Sequence, residues 1–159
     1  MDFDYETYVG LASIAGIFVG FAALITASDD EDSPVLIKGI VNIGMLTLGG
    51  ALIPMLLAKY GVGEALLWRL AGGAFFAIIW FSLLHPTTRK FLVTQFRLDR
   101  KAALFFWIFI EIPIQLPLAL CILGILPSYH GAFYATSIVL NLIQAGYLLV
   151  QFVHSPRKK

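Results

Sequence analysis

The sequence predicts an all-α fold, a polytopic transmembrane bundle of five helices in a single membrane domain, from three observations. Of 159 residues, 59% are hydrophobic and 13% charged, whereas charged residues make up about a quarter of a soluble domain. The hydrophobic residues fall into five runs of about 20, the length a helix needs at about 1.5 Å per residue to cross a hydrocarbon core of about 30 Å. The charged residues sit almost entirely between these runs rather than interspersed on helix faces. Because the runs are continuous rather than alternating, and lipid admits only helices or closed barrels, helices follow.

The first run covers residues 8–27. It follows Asp2, Asp4 and Glu6 rather than basic residues and is too long for the apolar core of a secretory signal, so it reads as a retained span. Ser13, Gly16, Gly20, Ala23 and Ala27 lie within roughly 100° of one another on it. Such a face serves packing within the chain or, as the alternative, a dimer seam. Next comes Asp29-Asp30-Glu31-Asp32-Ser33-Pro34. Four carboxylates attract a hard cation, but their spacing fits no defined metal loop. The expected structure is a solvated turn in which Ser33 caps the second helix and Pro34 takes its first position. The second span, residues 36–58, carries Lys38 and Asn42 one turn apart and a bend at Pro54. The third covers residues 65–84. Gly49-Gly50 and Gly72-Gly73 are expected at close contacts in these two spans.

Residues 85–103 form the one long connection. Arg89, Lys90, Arg97, Arg100 and Lys101 are interleaved there with Phe91, Leu92, Phe96 and Leu98, a mixture suited to an interfacial helix on anionic lipid headgroups. Together with Arg157, Lys158 and Lys159 these residues outweigh Lys59 and Arg69 on the other side, so the amino terminus is expected outside and the carboxyl terminus in the cytoplasm. The expected location is a plasma or bacterial inner membrane. Lipid is the expected partner and nucleic acid is not.

The fourth span, residues 104–126, contains Glu111 and, one turn on, Gln115. Ionisable groups at membrane depth face a bundle interior or an aqueous cavity, which makes Glu111 the chief candidate site residue. Pro113 and Pro117 each remove a backbone donor, predicting a kinked helix like those lining transport sites, with a plain structural kink as the alternative. The fifth span, residues 132–153, aligns Ser137, Asn141, Gln144 and Gln151 in one stripe. Counted from the predicted boundaries, Asn42, Glu111, Gln115 and Gln144 lie at roughly similar depth, 9 to 16 Å from the cytoplasmic surface. Lys38 is the cation expected to reach Glu111, and Arg69 is expected to snorkel to the outer interface.

No zinc-protease motif, phosphate-binding loop or nucleophile elbow occurs, and no aspartate falls within a span. His85, His130 and His154 are expected at the interfaces, too far apart to hold a haem or metal together. Cys121 is the chain's one cysteine, so no intrachain disulfide forms. No cofactor, metal or catalytic residue is assigned; acid–base chemistry at Glu111 is the remaining enzymatic option. The expected function is an ion or proton conduit, or a transport-related protein, acting as an oligomer, with Glu111, Gln115, Lys38, Asn42, Asn141 and Gln144 in its polar cluster. The alternative is a non-conducting subunit that binds a membrane or cytoplasmic protein.

Overall fold

The computed structural model describes residues 4–28, 34–85, 104 and 107–154. The acidic turn at residues 29–33, the basic residues Arg89, Lys90, Arg97, Arg100 and Lys101, and the basic carboxyl-terminal residues 157–159 lie outside the described residues. Among those described there are helices and no strands: α1 (Tyr5–Ser28), α2 (Pro34–Lys59), α3 (Glu64–Leu84), a π-helical turn (Trp107–Glu111), α4 (Ile112–Leu123), a 3-10 turn (Pro127–Tyr129) and α5 (His130–His154). Four segments have the length and apolarity of membrane spans, namely Tyr5–Leu24, Lys38–Lys59, Glu64–Leu84 and Pro127–Val150. They are compatible with an integral membrane protein. Among the described residues, the expected fourth span corresponds to a shorter apolar helix, Trp107–Leu123.

Asp4 starts α1. Its carboxylate accepts hydrogen bonds from the Thr7 hydroxyl (2.5 Å) and the Thr7 backbone N–H (3.1 Å), satisfying a donor that the first helical turn leaves open. These bonds, the hydroxyl's foremost, hold the Asp4 carboxyl below its ordinary 3.8. With the folded value lowered, the cap's contribution is present above the unfolded value and is lost as pH falls through the folded one, below 3.8. An NMR titration is expected to place the Asp4 midpoint under 3.8 and to show it rising in Thr7→Val. A midpoint indifferent to that substitution would remove the hydroxyl bond from the account.

The chain divides into two compact units. The first comprises Met1–Leu56 and Ile138–Lys159. Here α1 buries Tyr8, Ala15 and Ala22, spaced two turns apart. α2 buries Ile40, Gly44, Thr47 and Ala51. The two helices meet where Gly44 passes Val19: a Cβ on Gly44 would stand 2.7 Å from Val19 Cγ2 and 3.6 Å from the Ala15 carbonyl oxygen. A Cβ on Gly39 would lie 3.4 Å from Leu148 of α5, and Ala22 and Ile40 form a small core with Val41, Leu148 and Leu149. Thr47 is fully buried and donates its hydroxyl to the Ile43 carbonyl at 2.7 Å, so the helix itself satisfies it.

The small-residue face of α1 is placed differently from the expected packing within the chain. Ser13, Gly16, Gly20 and Ala23 are exposed, and nothing lies within 4 Å of a Cβ built on Gly16 or Gly20. The reason is visible at the crossing. One small residue is enough to let two helices approach, and α2 supplies it at Gly44.

The second unit comprises Leu57–Ser137. Its α3 and α4 approach closely at Gly72, where a Cβ would stand 3.1 Å from Cys121 Cβ and 3.4 Å from the Leu118 carbonyl oxygen. Neighbouring Gly73 has nothing within that range. α4 ends at Gly124, earlier than expected, because Gly124 turns left-handed (φ 73°) and closes the helix: its N–H donates to the Cys121 carbonyl (3.2 Å), and the Ile125 N–H donates to the Leu120 carbonyl (3.0 Å). A Cβ on Gly124 would collide with the Arg69 guanidinium, so this cation sits at the carbonyl end of α4, where a helix favours positive charge.

His130, expected at an interface, is 2% exposed at the start of α5. Its Nε2 lies 3.0 Å from the Ile125 carbonyl oxygen and its backbone carbonyl accepts the Cys121 thiol at 3.3 Å, so it ties the corner between α4 and α5 together. His85 is exposed just beyond α3. Tyr134 is fully buried, with ring centroids 5.9 Å from Trp68 and 5.8 Å from Phe75, in the tilted arrangements aromatic pairs prefer.

Candidate functional site

The site is built where α4 begins. Pro113 has no N–H to give to the carbonyl four residues earlier, and its ring crowds that carbonyl. The five residues before α4, Trp107–Glu111, adopt the wider π-helical turn, a feature found as single turns within α-helices and frequently at functional sites. Glu111 closes this turn and is 3% exposed. Gln115, one α-helical turn on, donates its Nε2 to Glu111 Oε2 at 3.0 Å. A carboxylate withdrawn from water needs such donors, because an unsatisfied one costs several kcal/mol.

Glu111 and Gln115 line a cleft of about 330 Å³. α3 contributes Phe76 and Trp80, the π turn Trp107, and α4 Ile112, Leu116 and Ala119. Phe76 and Trp80 fall one and two turns beyond Gly72, on the face of α3 that touches α4. The helices are close at Gly72, where there is no side chain, and two large rings occupy the same face further along. The rings form a continuous wall: centroids lie 6.1 Å apart for Phe76 and Trp80 and 6.5 Å apart for Trp80 and Trp107. The Trp80 indole nitrogen is buried with no hydrogen-bond partner.

Of the expected polar cluster, the structure brings Glu111 and Gln115 together in the second unit. The other members belong to the first unit. Lys38 and Asn42 are exposed, because α2 turns Ile40, Gly44 and Thr47 inward. Asn141 and Gln144 are 4% and 8% exposed, in line with fully buried Ser137. Ser137 donates to the Phe133 carbonyl at 3.2 Å, while Asn141 Nδ2 has no partner. Among the described residues, no group of three or more His, Cys, Asp or Glu is placed to hold a metal ion.

Sequence reasoning missed the aromatic half of the site. Trp107 shares the Glu111 helix face four residues earlier, a spacing that was available. Trp80 comes from another helix, and nothing local to either segment pairs them. The chain matches no protein-family model, no curated protein and no solved structure, so the site itself is the guide to function.

Proposed function

We propose that the chain is a multi-pass protein of a plasma or bacterial inner membrane that conducts or transports a proton or cation, with Glu111 on the path. It crosses five times, Trp107–Leu123 serving as the core of the fourth crossing, with the amino terminus outside and the basic connection cytoplasmic, where it meets anionic lipid. The observation that carries the reading is a carboxylate 3% exposed, hydrogen-bonded by Gln115 and lining a cleft at a π-helical turn. Ionisable groups at membrane depth that line a cavity mark ion pathways and proton relays. A chain of this size encloses a narrow path, so the conducting form is a homo-oligomer.

A second reading has its own support. The exposed Ser13, Gly16 and Gly20 face of α1 has the small residues that let helices approach in lipid, which suits a non-conducting subunit assembled on another membrane protein. Proton and ion flux across liposomes holding the purified chain separates the two. Flux that Glu111→Gln removes supports the conduit; no flux from either protein, both folded and inserted, favours the assembly subunit.

A further inference from the structure

We infer that the cleft of the second unit binds an organic monocation, an ammonium group carrying a small apolar body, with Glu111 as counter-charge and Trp80, Trp107 and Phe76 as aromatic walls. This rests on the reading of Glu111 as a transport carboxylate and names what that carboxylate accepts. Hard inorganic cations are held by about six to eight oxygens in calcium sites and by an octahedral oxygen shell in magnesium sites. The cleft offers two polar side chains, Glu111 and Gln115, and an otherwise apolar lining. An alkylated ammonium asks for something else. It needs one anionic partner and aromatic faces, over which a desolvated cation is attracted by the ring quadrupole, with tryptophan the strongest ring.

Size and shape agree with this chemistry. A cleft of about 330 Å³ stands at the lower end of small-molecule sites. Its rings are tilted by 50° for Phe76 and Trp80 and by 34° for Trp80 and Trp107, so they are not stacked face to face on one another.

The test uses the full chain in detergent with benzyltrimethylammonium as probe and neopentylbenzene, its uncharged isostere, as control. Trp68→Phe leaves Trp80 and Trp107 as the only tryptophans, so their fluorescence reports the cleft. Saturable quenching by the cation alone is expected, weakened about tenfold or more by Glu111→Gln and by Trp107→Leu, with Trp107→Phe intermediate. Quenching undiminished in these variants, or equal with the uncharged isostere, would overturn the inference. So would no saturable quenching from a protein whose liposomes still show Glu111-dependent proton flux, and that result would leave the conduit standing. Saturable, Glu111-dependent quenching without any flux would support the cation site and overturn the conduit.

Discussion

Flux through liposomes is expected to fall on the order of a hundredfold when Glu111 becomes glutamine, a loss of the size that removing a positioned proton-transfer group produces. The substitution keeps shape and volume and removes only the charge and the exchangeable proton. Gln115 can still donate to the new amide oxygen, so the π turn and α4 should be undisturbed. Glu111→Asp, which keeps the carboxyl on a shorter stem, should retain a measurable part of the flux. Gln115→Leu, which removes a donor rather than the charge, should cost less than Glu111→Gln. The check is proton and cation flux at matched protein density. Equal flux from wild type and Glu111→Gln would move the path away from this residue.

A large structural effect is expected at Gly72. A Cβ there already meets Cys121 Cβ at 3.1 Å and the Leu118 carbonyl oxygen at 3.4 Å. The oxygen belongs to the α4 backbone and cannot turn aside as a side chain would. Gly72→Leu should therefore force α3 from α4 and cost about 3 kcal/mol, the upper end of ordinary overpacking. Gly73→Leu is the control, because nothing lies within 4 Å of its Cβ, and its cost should stay near the roughly 0.5 kcal/mol of a surface substitution. Thermal unfolding in detergent reads both. Similar melting temperatures for the two variants would mean that the helices do not meet at Gly72.

Some of this was legible in the sequence for a clear physical reason. Glu111 stood out because charge is costly in an apolar run, and Gln115 followed from one-turn spacing. The helices themselves were marked by length and by the charges between them. The contact partners were not marked. Gly16 and Gly20 carry the spacing of a packing face, yet Gly44 makes the α1–α2 approach, because periodicity shows which residues share a face and not what that face meets. Lys38 and Asn42 share a face too, and the apolar and small residues beside them took the inward one. Trp80 and Trp107 were hidden because tryptophan is as much at home in an apolar helix as leucine is. The carboxyl end of α4 was misjudged because Gly124 terminates the helix by its backbone conformation while the apolar run continues past it to Leu126.

The π-helical turn also bears on how such a chain can change over generations. A turn that accommodates one residue more than its α-helical counterpart confines the surplus to a few positions, so the faces of the helix on either side are not thrown out of step. Losing a residue between Trp107 and Glu111 would restore ordinary spacing while leaving the Gly72 crossing where it is. The lining of the cleft can thus be redrawn by a single deletion, in a helix where a deletion elsewhere would rotate every later side chain by about 100°.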